Sequence, residues 1–395
     1  MPTATERAEP NPWLVLAGLS LGVLATNGLG RFAYGLILPA MRADLNWTYA
    51  QAGWLNTANA MGYVLGAVAT MMALRLLRPN TLFIAGLIGT VLAITATGLI
   101  PDLWWQSLWR FLTGLAGALS FSTAGALAAR LFPDDPRRNA LGIAILFGSG
   151  GGAAIILIGG TLPALLHLGG NQAWPWAWAI TGGLGLICVP LGLWAALVSR
   201  AAQGETRAPR HLPLRRILPE LAGYAGFGLG YIVYLTFLSA WMTEQNATAL
   251  QISLVWVLLG VCITLSPLLW RGIFARDASG KPLAMVLLCI AAGSALPVVW
   301  PTLPGLAVSA LIFGGSVFMA PPAITNFTRQ NLPADSWGRA LSLFTVVFAV
   351  AQTVGPYAAG WLGDRTGSIG TGLLAGAAVL VLGALIALRQ KPLSP

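Results

Sequence analysis

The sequence predicts an all-α membrane protein of twelve transmembrane helices, arranged as two six-helix repeats. Three observations predict it. Hydrophobic residues fill 56% of the 395 positions and charged residues only 9%, where a soluble domain carries about 25% charged residues. The chain divides into twelve apolar stretches of the ~20 residues that a helix needs to cross a bilayer core. Two pairs of segments match at one constant spacing of 200 residues: GLGRFAY at 28–34 with GLGYIVY at 228–234, and FPDDPRRNALG at 132–142 with LPADSWGRALS at 332–342. In the second pair Pro133 answers Pro333, Asp135 answers Asp335, Ala140 answers Ala340 and Leu141 answers Leu341. One match falls in the first span of each half and the other between the fourth and fifth, as two parallel repeats require.

The spans are expected at 13–39, 49–74, 81–100, 103–131, 139–167, 174–198, 217–242, 249–271, 282–300, 305–329, 338–362 and 370–388. They divide the chain into a bundle over 1–198, a linker at 199–216 and a bundle over 217–395. The first span follows MPTATERAEPNP, which has no basic region and no cleavage site before a short apolar stretch, so no cleaved signal peptide is expected. This span places Asn27, Arg31 and Tyr34 at i, i+4 and i+7. The second opens with Thr48-Tyr49-Ala50-Gln51, a capping box, and carries Asn56, Asn59 and Tyr63 along one face. Arg110 lies in the fourth span, within WRFLTGLAGA. The fifth contains GSGGG at 148–152, suited to close helix approach or bending. In the seventh, GFGLG at 226–230 has no strand before it and is no dinucleotide loop. Tyr231 and Tyr234 of that span are the repeat counterparts of Arg31 and Tyr34. Asn326 ends the tenth span and reads as structural, and Gln352 sits in the middle of the eleventh.

The net charge of +10 does not indicate nucleic acid, because the basic residues fill short gaps between apolar runs. With both termini inside, eighteen of the 22 basic residues fall on inner segments and only Arg42 and Arg365 on outer ones. The linker, SRAAQGETRAPRHLPLRR, is basic and lies inside, within reach of anionic lipid headgroups; a solvated segment that sets topology is the simpler reading. Arg31 and Arg110 remain, and both lie within spans.

A charge at mid-membrane costs ~2.5–3.5 kcal/mol even on the lenient insertion scale, so it faces water or a partner. Arg31 sits about 7 Å to the outer side of the middle and Arg110 about 10 Å below the outer edge, at 1.5 Å per residue. All twelve acidic residues lie outside the hydrophobic middles, the deepest being Glu220 near the inner end of the seventh span. A guanidinium without a protein carboxylate suits a substrate carboxylate, phosphate or sulfonate. The candidate substrate-binding residues are therefore Arg31, Arg110, Tyr34, Asn27, Asn56, Asn59, Tyr231, Tyr234 and Gln352. Each also fits an interhelical hydrogen bond.

Cys188, Cys262 and Cys289 are dispersed in apolar runs and make no disulfide framework or metal site. His167 and His211 lie at a span end and in the linker, and no HExxH is present. An enzyme, a metal and a cofactor are thus not expected.

Twelve spans as six plus six, the basic central loop and an Arg-x-x-x-Gly pattern at Arg110 and Gly114 resemble the major facilitator superfamily. The stretch GLGRFAYGLILPAMRADLNWTYAQAGWLNTANAMGYVLGA resembles the YbfB/YjiJ-type branch of bacterial permeases. The resemblance implies the major facilitator fold, with a substrate site between the halves near mid-membrane. It also implies a multi-pass monomer in the bacterial inner membrane with both termini cytoplasmic. There are departures. The family's Gly-x-x-x-Asp-Arg-x-Gly loop after the second span is replaced by GAVATMMALRLLRP, while GIFARDASGK keeps Arg276, Asp277, Gly280 and Lys281. A similar string, GWLGDRTG at 360–367, stands at the outer end of the eleventh span. Together these observations predict a secondary transporter of a small, carboxylate-type organic anion, working by alternating access as proton-linked symport or anion exchange. The alternative is an exporter of amphipathic drugs or metabolites.

Overall fold

The computed structural model describes residues 10–128, 131–132, 135–199, 212–274, 277–333 and 336–393, and every regular element among them is a helix. Most of the linker, residues 200–211, lies outside the described residues, as do Pro133, Arg276 and Asp335. In chain order the long helical segments are α1 (Pro12–Asp44), α2 (Tyr49–Ala73), α3 (Pro79–Thr97), α4 (Leu103–Ala128) and α5 (Pro136–Gly148, continued through Ser149–Ala153 and Ala154–Gly169). They continue as α6 (Trp174–Val198), α7 (Leu214–Glu244), α8 (Ala249–Phe274), α9 (Lys281–Val299), α10 (Leu303–Asn331), α11 (Trp337–Thr366) and α12 (Gly370–Ala387).

Hydropathy selects eleven of these as membrane spans among the described residues, one fewer than the twelve expected. The exception is α2, which is 25 residues long but carries Asn56, Thr57, Asn59 and Thr70. All four side chains are buried, because α2 is wedged between α4 and α11. Its polar groups therefore meet protein instead of lipid, and mean hydropathy is a poor guide to such a helix.

Caps fix the helix starts. The capping box at Thr48 forms as expected, with Gln51 N donating to Thr48 Oγ1 and Thr48 N to Gln51 Oε1. The same reciprocal pair recurs at Thr248 and Gln251, 200 residues on. Before each cap stands an asparagine in the left-handed region, Asn46 at φ 53° and Asn246 at φ 56°. Asparagine tolerates that region better than other residues with a side chain, because its amide bonds locally. Asn46→Ala is expected to lower stability by about 0.5–1 kcal/mol and Asn46→Gly to leave it nearly unchanged. Thermal unfolding in detergent reads the difference.

Helices α1–α6 pack among themselves and α7–α12 among themselves. The two sets meet where α2 runs along α11, α5 along α8 and the second half of α1 along α7. Two π turns, Leu24–Leu29 in α1 and Ser149–Ala153 in α5, face one another. The GSGGG segment explains this contact. A Cβ on Gly150 would stand 3.2 Å from the Val23 carbonyl oxygen, and one on Gly152 2.6 Å from that of Gly260 in α8. The Val23 and Thr264 side chains stand nearer still, so glycine is what lets α5 lie close to a helix on each side.

Hydrogen bonds between the sets run from Arg31 toward the end of the bundle that holds Tyr49. Asn56 Nδ2 donates to Thr236 Oγ1 (2.5 Å), and Thr57 Oγ1 to the Thr353 carbonyl (2.7 Å). At the Tyr49 end, Asp364 of GWLGDRTG accepts from Tyr49 N (2.7 Å) and Ala50 N (2.8 Å). The Tyr49 hydroxyl donates to Glu244, and the Arg42 guanidinium lies 3.7 Å from the centre of the Tyr49 ring. Two carboxylates of the second set therefore hold the first turn of α2, where unpaired N–H groups favour negative charge.

Candidate anion-binding site

The π turn carries one residue more than an α turn and so shifts the face that follows it. Arg31 comes two residues after it and points at the second set. Its Nη2 donates to Tyr231 Oη (3.0 Å) and to Gln352 Oε1. Its Cζ lies 5.0 Å from the centre of the Tyr63 ring, and the side chain is 9% exposed. Nε and Nη1 have no protein acceptor among the described residues.

Gln352 is wholly buried in the middle of α11. Its Oε1 also accepts from Tyr231 Oη (3.2 Å), while its Nε2 has no partner. The free Nε and Nη1 donors of a guanidinium and a free amide NH₂ thus lie together. No carboxylate answers them: the ion pair among the described residues, Arg138 with Asp135 at 3.1 Å, is at the surface. Asn27, inside the π turn, is half-buried and makes no side-chain hydrogen bond with the described residues.

The other expected residues are placed differently. Arg110 is completely enclosed. Its Nη1 donates to the Gly30 carbonyl (2.7 Å) and its Nη2 to Asn56 Oδ1 (3.4 Å), and the Tyr34 and Trp178 rings lie 5.1 and 5.5 Å from its Cζ. Gly30 precedes Arg31, so Arg110 fixes the backbone that carries the first arginine. Asn59 Nδ2 donates to the Arg110 carbonyl (3.0 Å). The Gly114 of Arg-x-x-x-Gly lets α2 approach there, since a Cβ would stand 2.9 Å from Tyr63 N. Tyr34 donates to the Ala52 carbonyl (2.7 Å) and stacks on Trp178. Tyr234 bonds Ser309 (2.8 Å) and stacks on Phe313 with centroids 3.9 Å apart. Each of these tyrosines ties the first helix of its set to a neighbour and is enclosed in this conformation.

The sequence reading passed over Phe227 and Phe348, which stack on Tyr231 at 4.5 and 5.7 Å. Their spacing was the available signal: Phe348 stands four residues before Gln352, and Phe227 four before Tyr231. A groove of about 540 Å³ between α2, α4 and α11, lined by Trp54, Trp104 and Tyr357, has none of the nine expected residues in its lining.

Comparisons with known proteins agree on the class. A family profile described as "Uncharacterised MFS-type transporter YbfB" matches residues 23–388. The probable sulfoacetate transporter SauU of Cupriavidus necator is 25% identical, over 92% of this chain and 90% of that one. The uncharacterized MFS-type transporter YceJ of Bacillus subtilis is also 25% identical, over 89% and 90%. Among solved structures, the nucleoside transporter NupG superposes with a TM-score of 0.71 at 12% identity, covering 95% of this chain and 98% of NupG. A bacterial homologue of the human lysosomal transporter Spinster, inward-facing and occupied, gives 0.72 at 15% identity, covering 97% of each chain.

Proposed function

The chain belongs to the YbfB family of MFS-type transporters, and on that premise we propose that it moves a small organic anion across the bacterial inner membrane by alternating access. The observation that carries this reading is the set of free donors at Arg31 and Gln352 with no protein carboxylate near them. A carboxylate or sulfonate accepts from these donors and also neutralises the guanidinium charge, which a cation or neutral solute does not do. The similarity to a probable sulfoacetate transporter supports an anionic substrate. With Arg31 as the anchor, Asn27, Tyr231 and Gln352 complete the contacts. Arg110, Asn56, Asn59, Tyr34 and Tyr234 position it from inside the bundle.

The wider architecture follows. All twelve helices cross the membrane as two repeats, the bundles over 1–198 and 217–395, joined by a cytoplasmic linker at 199–216. The caps and left-handed asparagines spaced 200 residues apart support the repeat. Both termini are cytoplasmic, and the monomer is the transporting unit. The Tyr49 end is then the outer face, closed in this conformation. With no acidic residue at the arginines, anion exchange or a proton arriving with the substrate couples transport.

Saturable counterflow of carboxylates or sulfonates in proteoliposomes tests the function. Uptake of cationic dyes with no response to any anion would replace it with amphipathic export. A second expectation concerns the closed end. Asp364→Asn removes a charge from the first turn of α2, a contact worth about 0.5–2 kcal/mol. It should raise the outward-open population by between about two- and thirtyfold. A cysteine at Thr57, in a background without the native cysteines, reports this as faster labelling by an impermeant maleimide. An unchanged rate counts against the latch.

A further inference from the structure

Arg31 stands at the head of an aromatic wall that the anion reading does not use. On α7, Tyr224, Phe227 and Tyr231 fall at i, i+3 and i+7; on α11, Phe344, Phe348 and Gln352 fall at i, i+4 and i+8. Both helices therefore present a polar group beside Arg31 and rings on the side toward the termini. Tyr224, Phe227, Tyr231 and Phe348 are nearly parallel, and Phe344 stands edge-on to Tyr224 at 76°. Phe227 and Phe348 lie 5.4 Å apart at 18°, and Tyr224 and Phe348 5.3 Å apart at 28°. Phe348 is the half-buried member, so its surface is not used up by the stack.

The first set brings rings of its own to Arg31. The half-buried Tyr63, whose ring underlies Arg31, leads to Phe121 at 6.3 Å, which meets Phe147 at 4.9 Å. Phe121 and Phe147 are half-buried too. The Tyr63 and Tyr224 hydroxyls have no hydrogen-bond partner among the described residues. Aliphatic side chains would line a slot for an aliphatic chain equally well. Flat rings on two sides favour a flat ring between them, through offset stacking and edge contacts.

We propose that the transported anion is an aryl carboxylate or aryl sulfonate, its acidic group on Arg31 and Gln352 and its ring between Tyr63 and Phe348. This rests on the anion reading above and narrows it. A bilayer charge is thereby handled as part of an amphipathic solute whose ring meets the aromatic walls while its oxygens meet the donors.

The test is direct binding to the purified full-length transporter, read by calorimetry and by thermal shift. The probes are benzoate and phenylacetate, their saturated counterparts cyclohexanecarboxylate and cyclohexylacetate, and sulfoacetate. The aryl acids should bind about tenfold more tightly than the saturated ones. Phe348→Leu should reduce that preference to about twofold or less, and Phe348→Met serves if the leucine variant does not fold. Equal affinity of the aryl and saturated pairs, or sulfoacetate binding more tightly than either, overturns the aryl assignment and leaves the anion reading standing. Absence of binding by all five, in protein that melts cooperatively, overturns both.

Discussion

Arg31→Gln abolishes anion binding and anion uptake while leaving the melting temperature of the unliganded protein within a few degrees of the parent. The glutamine ends near the position of Nε, short of Nη2, and Tyr231 and Gln352 keep their hydrogen bond to each other (3.2 Å). What it removes is the charge and the free Nε and Nη1 donors. Each charge-assisted hydrogen bond to a ligand contributes about 1.5–3 kcal/mol, so losing two costs at least a hundredfold in affinity. The unliganded protein loses little, because a guanidinium with no carboxylate partner is itself costly to bury. Arg31→Lys keeps the charge without the planar fork and should retain only a part of the affinity. The readout is the anion-dependent thermal shift together with counterflow. Undiminished saturable uptake by Arg31→Gln would sink the assignment.

Arg110→Ala does the opposite. It is expected to destabilise the protein by about 3–5 kcal/mol with or without anion present. The side chain is fully enclosed, so its removal leaves a cavity against Tyr34 and Trp178. It also strips the Gly30 carbonyl and Asn56 Oδ1 of their donor. Arg110→Met refills most of the volume and removes a buried charge, so it should recover more than half of the loss. Denaturant titration in detergent distinguishes the three proteins. A stable Arg110→Ala protein that no longer binds anions would move Arg110 into the ligand site.

The two arginines looked alike in the sequence and differ in the structure, and the reason is local. Apolar length located the helices, and the 200-residue register paired Arg31 with Tyr231, which the structure joins by a hydrogen bond. Register says nothing about the direction in which a side chain turns. The π turn at Leu24–Leu29 shifts the face carrying Arg31 relative to Asn27. Tyr34, three residues beyond Arg31, lies about 60° round the helix and faces α2 and Trp178 instead of the second set. Hydropathy passed over α2 for a related reason, since Asn56 and Asn59 are polar by composition and enclosed by packing. The misplaced-looking GWLGDRTG needed the third dimension altogether. Its Asp364 meets a helix start that lies more than three hundred residues away in the chain.

The glycine contacts of α5 have a mechanical meaning. Where α5 touches α1 and α8, small side chains seat on glycines: Val23 on Gly150 and Thr264 on Gly152. Helices that mesh through large side chains must climb out of one set of grooves before entering the next. The contact between the two sets at Gly152 is therefore a shallow socket: Thr264 sits in it, and only that small side chain must lift before α5 can shift along α8.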